Sequence, residues 1–320
     1  MRDPLDRVRA RVAERDTAGL RRFLKPRLAS ETVLDLAGND YLGLARDARI
    51  IAGATHATRV WGAGSTGSRL VTGTTALHDS LERALAEFCG ARAALVFSSG
   101  FLANLGVLSA LGGSDVAIVS DLGNHASLID GCRLSGSPIT VIPHRDLDKF
   151  DAALAAVESP DRVVVTDAVF SVDGDLAPLS DLHEISRRHG ALLVVDEAHA
   201  LGVVGVAGRG AVEAAGLAGE PDVICTVTLS KSLGAQGGAV LAAPEVVELL
   251  ISTARPFIFD TGLAPSSVGA ALAALEVLRD EPERVGLVRA NAAALAGVIR
   301  GLGAETVVPA AAVVPAYLGD

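Results

Sequence analysis

The sequence predicts an α/β protein built on a doubly wound, mainly parallel sheet, with a smaller carboxy-terminal α/β domain. Short β-branched runs alternate with helical stretches from about residue 76, and that alternation gives parallel strands with helices on both faces. The strand runs are continuously apolar instead of alternating, as strands buried on both faces are. Half of the 320 residues are apolar, only 3% are aromatic and 34 are Gly, a mix suited to close helix-on-sheet packing.

The elements follow in order. Residues 1 to about 30 read as an amphipathic helix with Val8, Val12 and Leu20 as its sparse apolar side, ended by Pro26. This is an arm, not a domain. Strands are expected at Ala94 to Phe97, Val116 to Ser120, Ile139 to Ile142, Val163 to Thr166, Leu192 to Val195, Val223 to Leu229 and Gly238 to Leu241. Between them, Leu77, Leu81, Leu85 and Phe88 mark a helix stopped by Gly90, and Leu147 to Val157 and Leu182 to His189 are helical in the same way. After Arg255-Pro256 the pattern changes to two long helices, about Ser266 to Leu278 and Glu283 to Leu302, then a short strand near Val307. The expected organisation is an arm (1–45), a large domain (46–255) and the start of a small domain (256–320).

Composition excludes several classes. Lys and Arg number 28 against 38 Asp and Glu, a net charge of −10 with no basic cluster, so a nucleic-acid groove is not expected. Every apolar run is broken by charge before the length of a membrane span. The charged segment Met1 to Asp16 carries no signal peptide, and Cys89, Cys132 and Cys225 read as reduced core thiols, so the expected location is cytoplasmic.

Ligands in open α/β sheets bind beyond the carboxyl ends of the strands, so polar residues there carry the chemistry. The run ending at Val195 delivers Asp196, Glu197, Ala198 and His199, and a carboxylate ending a buried strand needs a cation or donor. The run ending at Leu229 delivers Ser230 and Lys231 among small residues, which predicts a buried amine with a depressed pKa, suited to Schiff-base chemistry. Ser98-Ser99-Gly100-Phe101 turns from a strand into a helix, and such a turn presents free backbone N–H groups to a phosphate. Asp121 leads to His125, whose ring could stack on a flat ligand or serve as a hydrogen-bonded structural group. Each has a bland alternative: a helix cap for Asp196, a solvated lysine for Lys231, an ordinary turn at Gly100.

Two motifs are set aside. Asp196 to His199 spells the D-E-A-H tetrapeptide of certain helicases, but no GxxxxGK[ST] phosphate loop accompanies it. Gly62 to Gly67 fits GxGxxG, yet His56 to Trp61 before it is no buried strand. His56, His78, His144, His183 and His189 have no metal-ligand spacing and read as surface or structural groups; no metal is expected.

Together these segments resemble the α-oxoamine synthase family of fold-type I enzymes dependent on pyridoxal 5'-phosphate (PLP), most closely its biotin-synthesis branch. The resemblance runs through Asn39 to Leu44, Gly67 to Gly73, His78, Ser98 to Asn104, Ser120 to Ser127, Val169 to Asp175, Asp196 to His199 and Thr228 to Gly234. It implies PLP held as a Schiff base on Lys231, which then removes the substrate Cα proton. Asp196 would pair with the pyridine nitrogen, His199 would contact the phenolic oxygen, His125 would stack on the ring and Ser171 would bond near its edge. Gly100, Phe101 and Thr228 would hold the phosphate, joined by Thr261 from the second subunit of a homodimer, and Arg21 on the arm, with His125, would contact substrate. The implied reaction joins L-alanine to a pimeloyl thioester, from CoA or a carrier protein, with loss of CO2.

Three departures stand out. Ala200 replaces the usual Gly after the histidine, Asp167 replaces a Glu, and the sequence stops at Leu318-Gly319-Asp320, where the family continues for some tens of residues and supplies a carboxylate-binding arginine. The small domain is therefore expected to be incomplete. The alternatives are a sibling such as 2-amino-3-ketobutyrate CoA ligase, 5-aminolevulinate synthase or a sphingoid-base synthase, and, from another class, a catalytically inactive PLP-binding protein. Gly67-Ser68-Arg69 with Val71-Thr72-Gly73 favours the biotin branch.

Overall fold

A computed structural model describes residues 3–31 and 33–318. The chain divides into two compact units, Met1–Gly38 and Asn39–Asp320. Among its described residues the first contains one helix, α1 (Asp6–Thr17), which has no buried residue. The helix is shorter than the sequence suggested. Gly19 takes φ +67° and the Leu20 amide returns to the Arg15 carbonyl at 2.8 Å, a left-handed cap that ends the helix well before Pro26 and takes Leu20 off its face.

The second unit begins with α2 (Ala48–Trp61) and α3 (Ala76–Cys89), then alternates: β1 (Ala93–Phe97), α4 (Gly100–Leu111), β2 (Val116–Asp121), α5 (Ala126–Leu134), β3 (Ile139–Ile142), α6 (Leu147–Ala156), β4 (Asp161–Asp167), α7 (Leu179–Arg188) and β5 (Ala191–Asp196). A short helix α8 (Ala211–Ala214) leads to β6 (Val223–Thr228), β7 (Gly238–Ala242), α9 (Pro244–Thr253), α10 (Arg255–Ile258), α11 (Pro265–Asp280) and α12 (Glu283–Gly301). The seven strands form one sheet in the order β1-β7-β6-β5-β4-β2-β3. Only β7 runs against the rest, so six strands end on one edge.

Alternate residues of each strand enter two separate cores. Val164, Leu193, Val195, Cys225 and Val227 face the core under α3, α7 and α11, whereas Val163, Val165, Val194 and Ile224 face α4, α5 and α9. This two-sided burial is why the strands read as unbroken apolar runs. Helices α2 and α11 approach so closely that a Cβ on Gly269 would stand 2.6 Å from the Gly53 carbonyl oxygen, a crossing that only small residues permit.

From residue 76 onward all seven expected strands and the named helices form, with ends shifted by up to three residues. One further local expectation is corrected. The strand near Val307 is only a single bridge, Glu305 to Tyr317, because no neighbouring strand extends the ladder there. As expected, His56 to Trp61 is no strand: it lies on a helix, so the GxGxxG that follows lacks the strand that dinucleotide binding needs. Among the described residues no helix is long and apolar enough to cross a membrane.

Candidate active site

The carboxyl ends of β2, β4, β5 and β6 deliver the polar residues to one edge. Lys231 follows β6 by three residues and its Nζ lies 2.7 Å from His199 Nε2. Burial holds the Lys231 amine below its usual pKa, against the pull of Asp196 and Asp167. Burial and then the charge of Lys231 push His199 down to about 3, so its imidazole is neutral across the physiological range. His199 Nδ1 lies 2.6 Å from the Tyr41 hydroxyl, which also reaches Asn39 Oδ1 at 3.0 Å.

Asp196 is 5% exposed and accepts on both oxygens: Oδ2 from Asn104 Nδ2 at 2.6 Å and Oδ1 from the Ala198 amide at 2.8 Å. A buried carboxylate is tolerable when donors replace its water. On the adjacent strand Asp167 stands in register with Asp196 and accepts the His125 amide at 2.8 Å. Burial and the neighbouring Asp196 charge raise the Asp167 pKa well above the carboxylate range. The His125 Nδ1 lies 2.7 Å from Ser127 Oγ, and that hydroxyl lies 2.8 Å from Asn104 Nδ2.

Beside them the start of α4 meets the end of β6. Ser99 caps α4 by accepting the Leu102 amide at 3.1 Å, which leaves the N–H groups of Gly100 and Phe101 in the helix's first turn without helical acceptors. Thr228 lies against that turn: a Cβ on Gly100 would sit 3.0 Å from the Thr228 Cβ. The Thr228 hydroxyl is 2.7 Å from Ser230 Oγ.

Other expected residues lie elsewhere or carry less. Ser171 is half-buried in the turn after β4. Thr261 is exposed, bridges to Ser68 across an isolated pair, and its amide donates to Asp260 Oδ1 at 2.8 Å. Arg21 belongs to the amino-terminal unit, where its guanidinium is 3.5 Å from Asp16 and lies over Phe23. Two motif residues are structural. Buried Arg69 pairs with Glu82 at 2.8 Å and donates to the Val96 carbonyl at 3.1 Å, while His78 reaches the Leu263 carbonyl at 2.8 Å. His183, His189 and His144 each bond to aspartates: Asp222, Asp151, and the pair Asp121 and Asp175.

The sequence reading gave no role to Tyr41, Asn104, Ser127 or Thr226. A signal existed for Thr226: a hydroxyl inside a fully buried strand, two residues before Thr228 and on the same face, must have a partner. It donates to Asn104 Oδ1 at 2.6 Å.

The aminotransferase class I and II family model matches residues 31–320. The 8-amino-7-oxononanoate synthase of Mycobacterium sp. (strain KMS) is 60% identical over 283 residues, 88% of this chain and 74% of that protein. That of Mycobacterium avium (strain 104) is 56% identical over 317 residues, covering 99% and 82%. Among solved structures, a serine palmitoyltransferase of S. paucimobilis with a bound PLP–myriocin aldimine matches with TM-score 0.89 and 32% identity over 100% of this chain and 87% of that one. An 8-amino-7-oxononanoate synthase from Francisella tularensis matches with TM-score 0.74 and 29% identity over 86% and 77%.

Proposed function

The chain belongs to the aminotransferase class I and II family, and from that premise we propose that it is a PLP-dependent acyltransferase condensing L-alanine with a pimeloyl thioester to 8-amino-7-oxononanoate in biotin synthesis. The observation that carries this reading is a depressed lysine amine, a donor-held carboxylate and a free helix start gathered on one sheet edge. Those groups fit PLP, which has an aldehyde, a pyridine nitrogen and a phosphate to be met by such partners.

When bound, PLP supplies an electron-withdrawing ring that stabilises negative charge at the substrate Cα. The protein's own tasks follow from its geometry. Asp196, held by Asn104 and Ala198, presents a carboxylate to the pyridine N–H. The Lys231 Nζ, its pKa lowered by burial, takes the alanine Cα proton, and neutral His199 stands beside it to hold the phenolic edge. His125 would lie against the cofactor and the substrate, and Ser171 would be among the residues that hold the same cofactor. The N–H groups of Gly100 and Phe101 and the Thr228 hydroxyl take the phosphate, with Thr261 contributed across a homodimer. Arg21 is proposed as a substrate contact on the family resemblance alone.

Within this reading residues 46–255 hold the cofactor and residues 256–320 open a smaller domain, supported by the change to paired helices after Arg255. We place the protein in the cytoplasm, a location supported by three unpaired, buried cysteines. Purified protein with PLP, L-alanine and pimeloyl-CoA is expected to release CoA; faster reaction of glycine with a different acyl-CoA would reassign it to a sibling activity, and PLP binding without turnover to an inactive binding protein.

A further inference from the structure

We propose that Asn104 is a positioning residue of this site: its carboxamide, oriented by Thr226, fixes the Asp196 carboxylate and, through Ser127, places the ring proton of His125 on Nε2. The argument is a count of hydrogens. The Asn104 nitrogen has two, and both have acceptors: Asp196 Oδ2 at 2.6 Å and Ser127 Oγ at 2.8 Å. The Asn104 oxygen accepts the Thr226 hydroxyl at 2.6 Å. A flipped amide would set its oxygen against the carboxylate and leave Ser127 without a donor. Asn104, Ser127 and Thr226 are 2%, 1% and 1% exposed, so no water could repair such a loss.

The orientation then propagates. Ser127 Oγ accepts from Asn104, and His125 Nδ1 at 2.7 Å is the acceptor within reach of its single hydrogen. The Ser127 amide donates to the same nitrogen at 3.2 Å. Two donors converge on Nδ1, which therefore carries the lone pair, and the proton of the neutral ring sits on Nε2. One carboxamide thus sets the carboxylate at the end of β5 and the imidazole at the start of α5 together.

The functional consequence rests on the proposed PLP role of Asp196 and His125; the proton arrangement does not. Nitrogen-15 NMR of histidine-labelled apoprotein, with His125 assigned by the signal lost in His125→Gln, is expected to show Nδ1 unprotonated in the wild type and a tautomer mixture in Ser127→Ala. Thr226→Val, which keeps the side-chain shape, is expected to weaken PLP binding to the apoprotein about ten- to a hundredfold by absorbance titration, while Thr226→Ser stays within about twofold. A wild-type His125 protonated on Nδ1, or Thr226→Val and Ser127→Ala both matching the wild type, would overturn the proposal. Failure of the wild-type protein to bind PLP would instead sink the functional reading, with the NMR result still deciding the proton arrangement.

Discussion

Asp196 and Glu197 are consecutive, both buried, and opposite in environment. The strand period turns Asp196 toward α4, where Asn104 and the Ala198 amide donate to it. Glu197, 1% exposed, turns to the other core, into a small cavity lined by Cys89, Arg209, Val212 and Cys225, where the Val212 amide donates at 2.5 Å. Burial pushes the Glu197 carboxyl up to about 7 and raises the Cys89 and Cys225 thiols. The contrast teaches that burial alone does not make a functional carboxylate. Its face decides whether it meets a site or a core.

The sharpest way to break this comparison is to neutralise each residue at constant shape. Asp196→Asn is expected to lower kcat on the order of a thousandfold, the scale of losing one preorganised electrostatic partner, with an unchanged urea midpoint. Near-wild-type turnover in that variant would remove Asp196 from the cofactor site. Glu197→Gln is expected to spare kcat and to change stability instead. Because the folded pKa of Glu197 lies above its usual 4.5, the folded state holds the proton more tightly, and that contribution, full below pH 4.5, is lost as pH rises through about 7. Wild-type stability measured at about pH 5 and about pH 8 should therefore fall by roughly 3 kcal/mol more than that of Glu197→Gln. Equal pH dependence of the two proteins would show that Glu197 titrates as an ordinary carboxyl.

Smaller effects extend the same contrast. Tyr41→Phe removes the hydroxyl 2.6 Å from His199 Nδ1 and is expected to cost about tenfold in kcat/KM, with the pH profile shifted less than the rate; no change would make the contact incidental. On the Glu197 side, the raised thiols should be inert. A thiol reagent at neutral pH should leave Cys89 and Cys225 unlabelled and activity intact in the native protein, and reach all three cysteines after unfolding.

Much of this arrangement was legible in the chain. The continuous apolar runs gave the seven strands, and Asp196, His199 and Lys231 were marked as strand-end groups because they are polar residues just past a buried run. What could not be read were partners distant in sequence. Tyr41 meets His199 across 158 residues and Asn104 meets Asp196 across 92, and no local pattern encodes such pairings. The amino-terminal helix was overextended for the opposite reason: a left-handed glycine cap, set by local backbone geometry, overrode a weak apolar periodicity.

By itself, then, the sequence determined the doubly wound sheet, the edge on which its polar residues gather and the family those residues resemble, because period and strand ends are local properties. Only the tertiary structure decided which of two adjacent buried carboxyls faces the site and which hydrogens orient it. Those outcomes depend on helices packed from opposite sides of the sheet, and a buried polar group takes its character from whatever donors such packing brings within reach.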